Sequence, residues 1–498
     1  MKGKSLVSGL LLGLLILSLI SFQPSFAYSP HGGVKNIIIL VGDGMGLGHV
    51  EITKLVYGHL NMENFPVTGF ELTDSLSGEV TDSAAAGTAI STGAKTYNGM
   101  ISVTNITGKI VNLTTLLEVA QELGKSTGLV TTTRITHATP AVFASHVPDR
   151  DMEGEIAKQL IMHKVNVLLG GGREKFDEKN LELAKKQGYK VVFTKEELEK
   201  VEGDYVLGLF AESHIPYVLD RKPDDVGLLE MAKKAISILE KNPSGFFLMV
   251  EGGRIDHAAH GNDVASVVAE TKEFDDVVRY VLEYAKKRGD TLVIVLADHE
   301  TGGLAIGLTY GNAIDEDAIR KIKASTLRMA KEVKAGSSVK EVLKRYAGFV
   351  PTEEEVKYIE NALHSTNKYA LSNAVADVIN RRIGVGFTSY EHTGVPVPLL
   401  AYGPGAENFR GFLHHVDTAR LVAKLMLFGR RNIPVTISSV SSVKGDITGD
   451  YRVDEKDAYV TLMMFLGEKV DNEIEKRVDI DNNGMVDLND VMLILQEA

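Results

Sequence analysis

The sequence predicts an α/β fold: a three-layer α/β/α sandwich with a mostly parallel central sheet and an inserted helical cap. Two observations carry this. Apolar runs recur, each followed by glycine or a polar turn: NIIILVGDG (36–44), STGLVTTT (126–133), VNVLLGGG (165–172), GFFLMVEGG (245–253), TLVIVLADH (291–299) and VPLLAYGPG (397–405). They are continuous rather than alternating, as strands buried on both faces are. Between them lie helical patterns such as LTTLLEVAQELGK (113–125) and VGLLEMAKKAISILEK (226–241). Strands alternating with helices imply a parallel sheet covered on both sides.

The elements follow in chain order. Lys2 and Lys4 precede an apolar run from about Leu6 to Ile20, and Ser25-Phe26-Ala27 offers small residues for cleavage. Residues 1–27 therefore read as a secretory signal peptide, and the protein is expected outside the cell or at its surface. A membrane anchor is the alternative. Residues 28–435 form the main domain. Within it, 314–383 is charged and helical, with AIRKIKASTLRMAKEVK and TEEEVKYIENAL, and reads as the cap. Residues 436–445 read as a linker rich in serine. From 446 to 498 the chain turns acidic, and two segments resemble each other at a period of 33: DITGDYRVDEKD (446–457) and DIDNNGMVDLND (479–490).

Composition narrows the function. The 498 residues contain no cysteine, so no disulfide supports the fold. Few glutamines with abundant Glu and Lys weakly favour a thermophile. The formal charge of −12 argues against nucleic acid as the main partner.

In parallel sheets, ligands bind beyond the carboxyl ends of the strands. Ionisable residues collect there. Asp43 follows the first run, Glu251 ends another, and Asp298-His299 end a third. Asp256 and His260 are four apart, on one face of a helix. A carboxylate and an imidazole at that spacing can grip a divalent metal. His392 lies in a turn before the last run. Each piece alone is weak, but together they point to two neighbouring metals, a device for phosphoryl transfer. Ser83, in TDSAAAGTA (81–89), sits where a helix begins, and a helix start favours an anion. Asp82 or Ser83 as a plain helix cap is the simpler reading. Arg150 has the planar guanidinium that grips two phosphate oxygens, though a surface ion pair is an arginine's commoner role.

Asp43-Gly-Met-Gly, Asp82-Ser83-Ala84, His137-Ala-Thr139-Pro-Ala with Arg150, Glu251 with Asp256 and His260, Asp298-His299 and Glu391-His392-Thr393-Gly394 resemble the alkaline phosphatase family, in order and spacing, from about residue 34 to 425. The resemblance implies phosphomonoester hydrolysis through a phosphoserine on Ser83, with Arg150 clamping the phosphate. It implies one zinc on Asp256, His260 and His392, and a second on Asp43, Asp298 and His299. A third ion, usually magnesium, would use Asp43, Thr139 and Glu251. His137 and His257 stand near that third site where the best-known bacterial pattern has aspartate and lysine. Its metal is therefore magnesium, cobalt or zinc. A homodimer is also implied.

The C-terminal repeats resemble EF-hand calcium loops. The second supplies Asp479, Asp481, Asn483, Asp487 and Asp490, with Gly484 at the turn. The first supplies Asp446, Thr448, Asp450, Asp454 and Asp457, with Tyr451 replacing the glycine. A duplicated loop–helix unit ending in Asp is similar to a dockerin domain. That implies calcium binding and docking to a cohesin-like partner; an acidic solubilising tail is the alternative. For the whole chain, the alternatives are another hydrolase of the same superfamily, such as a phosphodiesterase, or a calcium-dependent surface scaffold with a vestigial hydrolase body. The sequons at Asn105 and Asn112 offer glycan sites on an exported surface.

Overall fold

A computed structural model describes residues 34–308, 313–429, 443–467 and 477–497, with Ile433, Val435, Ile437 and Ile474 singly. The expected signal peptide lies outside the described residues, as does most of the expected linker.

Ten strands form the central sheet. In chain order they are β1 (Asn36–Val41), β2 (Val67–Leu72), β3 (Ser126–Arg134), β4 (Val167–Gly171), β5 (Lys190–Val192), β6 (Val206–Leu209), β7 (Phe246–Glu251), β8 (Thr291–Leu296), β9 (Val397–Tyr402) and β10 (Gly411–His414). Their spatial order is β10-β2-β9-β8-β1-β7-β3-β4-β6-β5. β9 runs antiparallel to both of its neighbours, β8 and β2. The other pairings are parallel.

The sheet has two cores, and this explains the continuous apolar runs. Ile37, Ile39 and Val41 face one layer, whereas Ile38 and Leu40 face the other. In β8, Leu292, Ile294 and Leu296 alternate in the same way with Val293 and Val295. A strand buried on both faces therefore reads as a nearly continuous apolar run.

The reversal of β9 matters to function. Because it runs backwards, its start lies at the edge where its neighbours finish. His392, just before β9, thereby joins Asp43, Glu251 and Asp298. Ser83 and Thr139 reach the same edge from the segments after β2 and β3.

The insertion is helical as expected. Five helices lie between Glu316 and Ile383. They enclose a separate apolar cluster, which includes Met329, Val342, Ile359 and Val375 and also takes in Ile52 and Val264 from the main body.

At the C-terminus, α-helices Glu455–Phe465 and Leu488–Glu497 follow the two acidic loops. The loops are wired alike. Asp446 Oδ2 accepts from Tyr451 N at 2.9 Å, and Asp479 Oδ2 accepts from Gly484 N at 2.9 Å. Asp457 accepts from Ile447 N and Asp454 N, just as Asp490 accepts from Ile480 N and Asp487 N. Gly484 has φ 94°, and Tyr451 takes the same left-handed conformation at φ 66°.

This pair of helices packs on the main body. Leu462, Phe465, Val491 and Ile494 share an apolar cluster with Ala419, Val422 and Met426. The Arg420 guanidinium lies 4.6 Å from the Phe465 ring centre, and Arg420 Nε donates to Gly93 O at 2.9 Å. Gly93 ends the helix that begins at Ser83. It has φ 72°, and a Cβ there would sit 2.7 Å from Phe465 Cζ.

Candidate active site

Ser83 opens the helix Ser83–Thr92 and is buried. Asp82 is its N-cap: Oδ1 accepts from Ala85 N at 2.9 Å. The other oxygen of Asp82 accepts from Gly99 N and from Arg150 Nη1, each at 3.0 Å. Ser83 Oγ lies 3.2 Å from His299 Nε2. Arg150 Nη2 faces His137 Nε2 at 3.3 Å. The expected nucleophile, its neighbouring imidazole and the guanidinium are thus connected.

Three side chains from two distant segments meet beside them. His260 Nε2 is 3.3 Å from Asp256 Oδ1, and His392 Nε2 is 3.6 Å from the same oxygen. The two Nε2 atoms are 3.1 Å apart. His260 Nδ1 donates to Tyr390 O at 2.5 Å and His392 Nδ1 to Thr81 O at 2.9 Å. Each carbonyl fixes the proton on Nδ1 and leaves the Nε2 lone pair directed at its neighbours.

A second trio adjoins the first. His299 Nε2 is 3.2 Å from Asp298 Oδ2 and 3.7 Å from Asp43 Oδ1. The rings of His299 and His392 stack with centres 3.5 Å apart. Asp298 Oδ1 accepts from Gly44 N and His299 N at 3.0 Å each, which leaves Oδ2 free. Gly44 has φ 69°, and a Cβ there would approach Asp256 Cα to 2.9 Å, so this crossing needs glycine.

A third group forms around Glu251. β7 places Glu251 beside Thr131 of β3. Glu251 Oε2 accepts from the hydroxyls of Thr131 and Thr133. Ligand atoms of Asp43, His137 and Glu251 converge within 4.8 Å of one another. Thr139, from the helical turn Ala138–Ala141, is fully buried.

The donor set fits bound cations. Both oxygens of Asp43, Asp298 Oδ2, Glu251 Oε1, Thr139 Oγ1 and His137 Nδ1 are buried without a hydrogen-bond partner. Buried polar atoms in native proteins are almost always satisfied, so this many orphans in one place call for a ligand. Electrostatics agree. Burial, then the charges of Asp298, Asp256 and Glu251, push the Asp43 carboxyl well above its usual range. Burial raises Asp298 as well and takes Glu251 up to about 7. Burial, then the positive charge of neighbouring histidines, holds His299 well below its usual range. Acids that resist ionising and imidazoles that resist protonation suit a site that binds positive charge.

Several residues around this site were not legible in the sequence. Thr301 Oγ1 donates to Asp256 Oδ1 at 2.7 Å and lies 3.2 Å from His299 Nδ1, so it ties the two trios together. The buried pair Glu71 and His415 supports Asp298: His415 Nδ1 is 2.9 Å from Glu71 Oε2, and its Nε2 donates to Asp298 O at 2.8 Å. His214 joins His137 and His257, with ring centres 5.6 and 4.3 Å away. Arg254 Nη1 stands 2.7 Å from His257 Nδ1. Thr301 adjoins Asp298-His299 in sequence, and that nearness was the one available signal.

The acidic C-terminal residues are brought together only in part. Asp479, Asp481 and Asp490 place carboxylate oxygens within 4.8 Å of one another. Asn483 Nδ2 donates to Asp481 at 3.0 Å and lies 3.3 Å from Asp487. In the first loop, Thr448 Oγ1 is 3.5 Å from Asp446 Oδ1, and Asp450 accepts from Arg452 N.

Comparison with known proteins gives one consistent result. A family model described as alkaline phosphatase matches residues 34–427. Alkaline phosphatase 4 of Bacillus subtilis (strain 168) is 40% identical over 416 residues, spanning 80% of this chain and 90% of its own. The crystal structure of a cold-active alkaline phosphatase from the psychrophile Shewanella sp. is 33% identical, with a TM-score of 0.74, and covers 80% of this chain and 100% of its own. A variant alkaline phosphatase from the Antarctic bacterium TAB5, with glutamate replacing a histidine, has magnesium bound in its M3 site. It is 27% identical, with a TM-score of 0.60, over 79% of this chain and 98% of its own.

Proposed function

This chain belongs to the alkaline phosphatase family and is a phosphoric monoester hydrolase; from that premise we propose that Ser83 is its nucleophile and that the surrounding acids and histidines hold three metal ions. The observation that carries the proposal is the cluster of buried, unpartnered ligand atoms next to Ser83.

Asp256, His260 and His392 would hold one zinc, and Asp43, Asp298 and His299 a second. Asp43, Thr139 and Glu251 would hold a third ion, with the His137 ring beside them. Bound there, the ions would supply Lewis acidity at phosphorus and lower the pKa of the attacking groups. The remaining chemistry belongs to the chain. Ser83 Oγ gives up its proton and attacks phosphorus as the bond to the alcohol oxygen breaks, and the departing alkoxide takes up a proton in turn. Water then attacks phosphorus, Ser83 Oγ leaves and regains a proton, and inorganic phosphate is released. Arg150 holds two phosphoryl oxygens in its planar fork. The start of the Ser83 helix adds its dipole to that grip. Recognition centred on phosphate leaves the alcohol half of the ester open to many substrates.

The third ion is magnesium or cobalt in this reading. An imidazole beside the site favours the softer cobalt over magnesium. The magnesium-holding TAB5 variant, in which a carboxylate replaces a histidine, supports that trend. The protein is further read as exported, as a homodimer, and as binding calcium at Asp446, Thr448, Asp450, Asp454 and Asp457 and at Asp479, Asp481, Asn483, Asp487 and Asp490. The matched wiring of the two loops supports the calcium reading. Docking of a cohesin-like partner rests on sequence resemblance alone.

The test is hydrolysis of a chromogenic phosphomonoester at alkaline pH by residues 28–498. Wild type and Ser83→Ala are each stripped of metal and resupplied with zinc plus magnesium or cobalt. Turnover that returns with metal in the wild type and stays absent in Ser83→Ala supports the mechanism. Equal turnover in both removes Ser83 as the nucleophile.

A further inference from the structure

Outside the active site, Glu118, His146 and His163 bring three ligand atoms within 4.8 Å of one another. Glu118 Oε1 is the hub: His146 Nε2 lies 2.9 Å away and His163 Nδ1 3.4 Å away. Two ligand atoms about 2.0–2.1 Å from a tetrahedral zinc are roughly 3.3 Å apart, so this spacing already suits one ion. We propose that these three residues form a separate zinc site, His2Glu in composition, that braces the segment leading to Arg150.

The local wiring prepares each ligand. Glu118 spends Oε2 on the helix cap, accepting from Thr115 N at 2.8 Å, and this leaves Oε1 pointing outwards. His146 Nδ1 donates to Ser102 O at 2.8 Å, so Nε2 is the ring atom turned to Glu118 Oε1, to which it donates at 2.9 Å; a zinc ion would take the place of that proton. A carbonyl behind the ring is the usual support for a metal-bound histidine. His163 terminates the helix Glu153–Met162. Its carbonyl accepts from Gln121 Nε2 at 2.8 Å, which fixes its backbone next to the Glu118 helix. The negative end of the Glu153–Met162 helix faces this corner and favours a cation.

The three side chains are 10–27% exposed, so an ion has an entry path and a place for water as fourth ligand. Two imidazoles and one carboxylate suit zinc better than magnesium or calcium, which prefer oxygen alone. The trio joins side chains from three separate segments, so the ion would act as a staple. It would tie together three segments: the helix Leu116–Glu122, the loop at His146 and the end of the helix Glu153–Met162. Four residues after His146 comes Arg150, whose N–H donates to Gly99 O at 2.8 Å.

The test uses the full chain, stripped and reloaded with zinc, then equilibrated with micromolar free zinc. Bound zinc per chain is measured by mass spectrometry for wild type, His163→Ala and Glu118→Gln. One zinc fewer in each variant, with turnover at saturating metal retained, supports the site. Equal zinc in all three overturns it. Should the variants fail to fold, zinc-edge anomalous diffraction from wild-type crystals decides. A peak among Glu118 Oε1, His146 Nε2 and His163 Nδ1 supports the proposal. Occupied active-site peaks with none at this trio refute it, leaving the Glu118–His146 contact as a plain ion pair.

Discussion

Asp82 holds Arg150 through a 3.0 Å contact from Oδ2 to Nη1, while its Oδ1 caps the helix that begins at Ser83. One carboxylate therefore positions both Ser83, the proposed nucleophile, and the guanidinium. Arg150→Ala is expected to raise KM for a phosphomonoester by about 10–100-fold, the worth of a charge-assisted hydrogen bond of roughly 1.5–3 kcal/mol. Asp82→Ala should raise KM less, and should also cost about 1 kcal/mol of stability through the lost cap. Steady-state kinetics and thermal denaturation check the two effects separately. An unchanged KM in Arg150→Ala would remove Arg150 from phosphate binding.

Removing the metals should make the protein sensitive to pH in a defined direction. The folded carboxyls of Asp43, Asp298 and Glu251 titrate above their usual range, Glu251 at about 7. Such groups bind more protons folded than unfolded, so their own contribution to stability is lost as pH rises from about 4 towards 7, whereas His137, His257 and His299, held low by burial, oppose folding below about 6.5 and act in the opposite sense. Metal binding needs the carboxylates ionised, so it releases protons and strengthens over the same window. Scanning calorimetry of the stripped wild type and stripped Glu251→Gln at pH 5 and 7.5 isolates one carboxyl: the wild type should lose Tm relative to the variant as pH rises. Equal Tm changes in the two proteins contradict it.

Thr301 binds Asp256 and adjoins His299 without being a candidate ligand itself. Thr301→Val keeps its shape and removes the hydroxyl. Loss of such a supporting partner typically lowers metal affinity by about 10–100-fold. Competition with a zinc chelator measures this directly, and a loss that excess zinc reverses separates it from misfolding.

Tyr451 occupies a left-handed position that its partner loop gives to Gly484. A non-glycine residue there costs about 1 kcal/mol or more. Tyr451→Gly should therefore tighten calcium binding in the first loop and slow amide exchange in the helix Glu455–Phe465. Calcium titration followed by hydrogen exchange reads both, and weaker binding in the variant would show that the Tyr451 side chain makes a contact worth more than the strain.

Much of the fold was legible because burial on both faces leaves a local signature. β1, β7 and β8 carry unbroken apolar stretches of five residues, so their runs ended where the proposed ligands began. β2 was not legible: it alternates buried residues with more exposed ones near the sheet edge, and VTGFEL has no run of consecutive apolar residues. The cap helices were readable from charge and periodicity. The packing of the C-terminal helices on the body was not, since Gly93 and Phe465 are distant in sequence and carry no shared motif.

The sequence by itself determined the strand runs, the residue types at their ends and the 33-residue repeat, because these depend on neighbours along the chain. Only the tertiary structure decided which ends meet. The direction of β9 brings His392 within 3.6 Å of Asp256, the sheet register sets Thr131 against Glu251, and α-helical packing gathers Glu118, His146 and His163. Such meetings follow from strand order and helix placement, which settle only when two cores on opposite faces of one sheet are filled together.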